Sequence, residues 1–472
     1  IEASKIIGSE EKYCIQLSAK VLDALSYSIN ESFCKLAGSE VVIALIELSM
    51  KMCTIYQKEL EKYSQELTPK AIKFLDAASE TSLDYILPFL VLALLLDFLP
   101  QGKNINNKIS QIVNTLLQFC EKHLSSEPDK MIRVIKHLFV RTPDRIALKE
   151  NTAGCIHFLM KTLEDQEPII SFILNGAKAS KASYRSLSLD LFRLLINDEE
   201  YTLSDELKFQ MIDIIKLRLN DTIPNVRASA INSITSLIST SDSRINEVIG
   251  LNDPEGEIYK IIENRICDEK LIVRKAALKF VRSIVFSSDE PNFTLLLLIS
   301  ARARDRSVSI RQEAAQILTD CLVQFNYHPQ LITIWFDSVF PIALDTDQKT
   351  QELGLKLIET TFFKEITHKT GIAMAECLND RYKDLIYRIF CVFKQKAKNL
   401  GPFCKSLQSI LKVDCLPVMW KIADSIISVD RDDEFVIRDH FKKDFKVFWD
   451  QRDELPTEYL SIISKLGYKD DF

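Results

Sequence analysis

Three segments of the chain superimpose when aligned on an aspartate, and this self-similarity limits the possible folds more than any other feature. They are "DTIPNVRASA" from Asp221, "DEKLIVRKAA" from Asp268 and "DRSVSIRQEA" from Asp305. In each, a Val or Ile stands five residues after the aspartate, an Arg six after and an Ala nine after. An apolar stripe follows in register: Val273, Ala277, Phe280, Val281 and Ile284 in one copy, Ile310, Ala314, Ile317, Leu318 and Cys321 in the next. That spacing puts the stripe on one helical face, and the small alanine lets a neighbouring helix approach closely. The aspartates are 47 and 37 residues apart. A weaker copy starts 40 residues on at Asp345, with Thr350, Gln351 and Gly354 at the three marked positions. A still weaker one surrounds Tyr184 and Arg185.

The rest of the chain follows the same helical periodicity, and no convincing run of strand alternation breaks it. Its 472 residues exceed what one hydrophobic core serves, so it either splits into domains or extends a core in one direction. Only 11 glycines are present, too few for the turns of an all-β protein or the phosphate loops of a dinucleotide fold. Pro69, Pro128, Pro168, Pro291, Pro329 and Pro456 stand where helices are expected to begin, because proline at a first helical position loses no hydrogen bond. "TLSD" from Thr202 to Asp205 reads as a capping box for the helix after it.

A period near 40 with this pattern resembles the HEAT repeat, two antiparallel helices per unit. The resemblance implies an all-α fold, a HEAT-repeat α-solenoid, which is a superhelical array of antiparallel helix pairs holding about eleven units. Three regions of one continuous solenoid are expected: N-terminal helical repeats over 1–165, the most regular repeats over 166–365, and C-terminal repeats or a cap over 366–472.

Several function classes drop out. The 11 cysteines are odd in number, scattered singly and form no Cys-x-x-Cys, the usage expected of core thiols in a reducing cytosol or nucleus. The apolar stretch Tyr85–Leu96 is too short to span a bilayer and holds Pro88, so a buried core helix is expected and no membrane partner. Without an initiating methionine the chain is read as a fragment. No phosphate loop, metalloprotease, dinucleotide or nucleophile-elbow motif occurs, so no enzyme and no cofactor is expected. Cys120-x-x-His123 and Cys155-x-His157 each lack a second ligand pair, so no metal site is expected.

The segment "MIRVIKHLFVRTPDRIALKENTAGCIHFLMKTL", Met131 to Leu163, narrows the HEAT class. Its His137-Leu138, Val140-Arg141 and Pro143-Asp144-Arg145 resemble the H-L-x-V-R-x-P-D-[KR] run of the D-type HEAT subunits of condensin. The repeat from Ala301 to Leu322, followed by Trp335 to Glu359, is similar to their middle region. The resemblance covers about Met131 to Phe363 and leans towards the condensin II form over the condensin I form. After Arg145 the chain reads Ile-Ala-Leu-Lys, where the family has an acidic-aromatic-basic run. The resemblance implies a non-catalytic scaffold that binds the kleisin subunit, works with SMC ATPase subunits and a second HEAT subunit, and contacts duplex DNA or chromatin. It implies a place in the nucleus and on chromosomes in mitotic condensation, with the cytoplasm open outside mitosis. A karyopherin-like transport or signalling scaffold and the regulatory solenoid of a larger enzyme remain alternatives at this point.

Two sets of residues are candidates. Asp221, Arg227, Asp268, Arg274, Asp305 and Arg311 recur at fixed offsets and are expected to form a ladder of charge-assisted hydrogen bonds between stacked turns. Arg302, Arg304 and Arg306 flank one turn, Lys275, Lys279 and Arg282 lie off the apolar stripe of the neighbouring helix, and Lys178, Lys181 and Arg185 crowd a third turn; together they are expected to line a phosphate-binding track. The formal charge of −6 leaves only a local patch for that purpose.

Overall fold

The computed structural model describes residues 117–429 with short gaps (119, 143–145, 199, 202, 239–242, 254, 379, 397–400 and 412–416), residues 457–466, and positions 20 and 24. The apolar stretch Tyr85–Leu96, the triplet Pro143-Asp144-Arg145, Pro69, Thr202, Pro456 and most of Phe435–Gly467 lie outside the described residues. Every regular element among the described residues is helical. None of these helices is long and apolar enough to cross a membrane. Helical hairpins stacked in two rows place the chain in the HEAT-repeat α-solenoid class.

Two compact units divide the chain, Ile1–Asn252 and Asp253–Phe472. In the first, α1 (Pro128–Arg141) pairs with α2 (Ile146–Lys161), α3 (Glu167–Lys178) with α4 (Ala182–Asn197), and α5 (Asp205–Arg218) with α6 (Pro224–Ile238). The short α7 (Ser243–Ile249) packs on α5 and α6. Because α4 touches α2 and α6 while α1 touches α3, second helices form one row and first helices another.

The second unit repeats the scheme. Its pairs are α8 (Glu257–Ile266) with α9 (Leu271–Phe286), α10 (Phe293–Arg302) with α11 (Val308–Gln324), and α12 (Pro329–Ile342) with α13 (Gln348–Ile358). Helices α9, α11 and α13 form one row, with α10 on α12 in the other. A π-helical turn, Glu359–Phe363, then breaks the regularity. Beyond it come α14 (Lys369–Glu376), α15 (Lys383–Gln395), α16 (Gly401–Ile410), α17 (Pro417–Val429) and α18 (Thr457–Leu466). The π turn delivers Phe362 and Phe363 into an aromatic cluster with Phe336, Phe340, Phe390 and Phe403, which ties α12 to the later helices.

Local chemistry starts these helices much as the prolines suggest. Pro128 and Pro329 are first residues of α1 and α12, and Pro168 is second in α3. Pro291 is different: it precedes Asn292, whose side chain caps α10 by accepting from the Leu295 amide. Within the expected capping box, Thr202 lies outside the described residues, and Ser204 caps α5, its hydroxyl accepting from the Leu207 amide. Ser204 takes the extended backbone that a cap needs.

The apolar stripes form the core. Ile310, Ala314, Ile317, Leu318 and Cys321 are all buried, as are Val273, Ala277, Phe280 and Val281. Ile284 is only half-buried, and Val285 takes the inward position at that end of α9. The recurring alanine is needed where helix backbones come close. At its fourth occurrence it is Gly354, and a Cβ there would lie 2.5 Å from the Ala343 backbone nitrogen. Gly354→Ala is therefore expected to destabilise the second unit by about 1–3 kcal/mol, because backbone and not a flexible side chain must yield. A lowered urea midpoint with an unchanged helical circular dichroism spectrum is the expected reading.

A candidate nucleic-acid interface at the helix-pair turns

The turn inside each helix pair is built by its aspartate. In Asp221, Asp268, Asp305 and Asp345 alike, Oδ1 accepts the amide two residues on: Ile223 at 2.9 Å, Lys270 at 3.0 Å, Ser307 at 2.8 Å and Asp347 at 2.8 Å. This is an Asx-turn, which imitates a backbone turn and needs a side chain one methylene long. The arginine six residues later sits in the first turn of the second helix and donates Nη1 to the carbonyl of its own aspartate. Those distances are 2.8 Å for Arg227, 3.0 Å for Arg274 and 2.9 Å for Arg311.

In Arg274 and Arg311 the other edge of the guanidinium reaches the neighbouring pair. Arg274 donates Nε and Nη2 to the two carboxylate oxygens of Asp305 at 2.9 and 2.8 Å. Arg311 does the same to Asp345 at 2.6 and 2.8 Å. In the first unit Arg185 grips Asp221 at 2.8 and 2.8 Å, and Ala179 stands where its own aspartate would be, offering its carbonyl at 3.0 Å. Each fork thus pins two successive turns, and the planar five-donor head makes this possible where a lysine would not.

Two of these pairs are buried and the third, Arg311 with Asp345, is half-buried. Arg274 is 3% exposed and Asp305 7%. Burial pushes the Asp305 carboxyl up, but the Arg274 bonds and the Ser307 amide outweigh it and hold the group below the usual carboxylate range. Asp221 is likewise held low, burial opposing and Arg185 with the Ile223 amide prevailing.

A second arginine completes three of these four turns, a repeat that the offsets after the aspartate do not show. Three residues before the aspartates stand Arg218, Arg265 and Arg302. They reach Oδ2 of Asp221, Asp268 and Asp305 at 3.4, 2.9 and 3.3 Å. Arg218 also donates to the Ala177 carbonyl at 3.1 Å and Arg302 to that of Ile266 at 3.4 Å, closing the last turn of the preceding pair's first helix. The signal was legible as Arg-x-x-Asp in all three copies.

This corrects two expectations. Arg302 does have counterparts, and its Nη1 is engaged within the turn, so it belongs to the architecture. Arg185, expected on the phosphate track, is 7% exposed and is the fork of its pair. The remaining basic candidates stay on the surface. Lys178 and Lys181 are exposed around the turn between α3 and α4, with Lys181 4.5 Å over the Tyr184 ring. Arg304 and Arg306 are exposed at the turn between α10 and α11, donating only to the Asp337 and Glu269 carbonyls. On α9, Lys279 and Arg282 are exposed and Lys275 half-buried. Arg282 is partly occupied by Asp320 at 3.3 Å and by the Phe286 ring. Lys178 and Lys181 belong to one compact unit and the other five to the second, so each unit carries its own basic turn.

Burial pushes the Cys120 thiol far up and that of Cys155 up to about 12. Among the described residues no group of three or more metal-ligating side chains converges.

Arg274→Ala is expected to destabilise the second unit by about 3–5 kcal/mol, since Asp305 would remain buried with its main partner gone. Arg274→Lys keeps the charge without the fork and is expected to recover little of the loss in urea unfolding. The ladder also sets an acid limit. Because Asp221 and Asp305 titrate lower folded than unfolded, their contribution is full above about pH 4 and is lost as pH falls towards their depressed folded values. Unfolding free energy measured against pH should fall less steeply across that acid window in Arg274→Ala than in the parent.

Comparison with known proteins agrees with this architecture. A family model described as sister chromatid cohesion protein PDS5 matches residues 217–330, and one described as a HEAT repeat associated with sister chromatid cohesion matches 198–234. The condensin-2 complex subunit D3-L of Xenopus laevis is 24% identical over 308 residues, covering 50% of this chain and 20% of the relative. The condensin-2 complex subunit D3 of Mus musculus is 24% identical over 394 residues, covering 68% of this chain and 26% of the relative. The chain thus spans about a fifth to a quarter of the length of these relatives. The solved structure of Kap121p overlaps 89% of this chain and 48% of its own at 11% identity and a TM-score of 0.45, too low to bear on function. The ladder-built helix pairs and the shared sequence together make the chain a HEAT-repeat protein distantly homologous to the D3 subunits of condensin-2.

Proposed function

We propose that this chain is a non-catalytic scaffold in a condensin-II-like complex, holding the kleisin chain and the phosphate backbone of duplex DNA. The homology to D3 subunits carries the reading. On it the chain works beside SMC ATPase subunits and a second HEAT subunit, in the nucleus and on chromosomes, and supports mitotic condensation.

The charge arrangement supports the DNA contact. The ladder aspartates Asp221, Asp305 and Asp345 sit in the turns but are gripped by arginines, so they oppose an approaching phosphate weakly. Lys178 and Lys181 in one unit, and Arg304 and Arg306 in the other, then stand exposed at equivalent turns. Lys270 joins them, exposed at the turn between α8 and α9. Such a surface reads backbone charge and not base edges, and its affinity falls steeply with salt.

The test is duplex DNA binding by the full chain across a salt series. Arg304→Glu with Arg306→Glu is expected to weaken binding uniformly across DNA sequences and to lower the salt slope by about two. Neither arginine belongs to the ladder, so the melting temperature should not move. Unchanged DNA affinity and slope would remove the turn edge from the reading. Capture of SMC and kleisin chains from dividing cells checks the complex itself.

A further inference from the structure

A groove of about 420 Å³ opens in the first unit where the N-terminal end of α3 faces the start of α5. Its walls are Ile170 and Leu174 from α3, and Leu203 and Leu207 from the entry to α5. The rim is entirely acidic in its charged groups: Glu164, Glu167 and Glu200, with no lysine or arginine lining it. Glu200 is bridged by Lys161 at 2.5 Å, a residue that also holds Asp198 at 2.6 Å. Glu164 and Glu167 have no ion-pair partner among the described residues, and both are exposed. Tyr201 closes the back, its hydroxyl donating to the His157 carbonyl at 3.0 Å.

We propose that this groove docks a basic, leucine-bearing segment of a partner polypeptide, in extended form. The occupant follows from charge and shape. The volume accommodates two or three side chains, at the small end of the range for specific pockets. Apolar walls suit an aliphatic side chain or the methylene stem of a lysine or arginine, whose charged head then emerges between the two unpaired glutamates. A nucleic acid is repelled by the same rim, so the partner is a protein.

The groove is also separate from the basic turn of the same unit. Lys178 ends α3, and Glu167 begins it, so the two lie at opposite ends of a 12-residue helix, roughly 16 Å apart along its axis. The two surfaces therefore fail or succeed independently.

The test uses the full chain and two fluorescein-labelled probe peptides, Leu-Lys-Leu-Arg-Leu and Leu-Glu-Leu-Glu-Leu, in anisotropy titrations. The basic peptide is expected to bind and the acidic one not. Glu164→Lys with Glu167→Lys is expected to weaken the basic peptide about tenfold or more, since two charge contacts become repulsive. Ser171→Trp, at an exposed position on the groove wall, is expected to weaken it similarly by filling the space, with melting temperature and duplex DNA affinity unchanged. Absence of basic-peptide binding up to about millimolar overturns the proposal. So does equal binding of both peptides, or binding that both variants leave intact.

Discussion

Arginine is the one side chain that closes two turns at once, and the regular part of this protein depends on that capacity. The Asx-turn fixes where each aspartate carboxylate points, and the fork from the preceding pair meets it in a fixed plane. Stacking register is then set by a directional polar contact, while the apolar stripes, which are non-directional, supply most of the burial. Aspartate and arginine are both specific to their jobs. A glutamate would overreach the Asx-turn, and a lysine would touch one oxygen instead of two.

This division explains what was legible in the sequence. The fold class was readable because the ladder needs invariant spacing: Asp, then a hydrophobe, Arg and Ala at five, six and nine residues, inside pairs that must match to stack. Asp345 shows where pattern reading weakens. It lost its own arginine and alanine, yet it still accepts Arg311, because the acceptor role needs only the turn. Arg185 shows the opposite case. Without an aspartate six residues before it, it looked like a loose surface cation, but the donor role needs only the next turn. Arg302 repeats three residues before its aspartate, outside the offsets that carry the rest of the pattern. The groove between α3 and α5 was invisible in the sequence, since it joins residues from linkers and helices about 40 positions apart whose pattern reads as ordinary amphipathic helix.

The charge of the linkers is acidic, while that of the turns is mixed. Turns inside the pairs carry Lys178, Lys181, Lys270, Arg304 and Arg306 beside Glu269 and Asp347, while linkers between pairs carry Glu164, Asp165, Asp198 and Glu200 in one unit and Asp289 and Glu290 in the other. A net charge of −6 hides this difference. Each helix of a pair runs from one edge to the other, so one short hairpin presents a different potential at each of its ends.

The ladder also has ends. A contact in which every unit offers a donor on one side and an acceptor on the other resembles the growing tip of a polymer, with no intrinsic stopping point. Here Ala179 leaves the turn before Arg185 without a carboxylate to offer backward, and Gln351 leaves the turn at Asp345 without a guanidinium to offer forward. The turn before Arg185 therefore holds no carboxylate acceptor, and the turn at Asp345 no guanidinium donor, so at these two positions the alternation of donor and acceptor stops within the sequence itself.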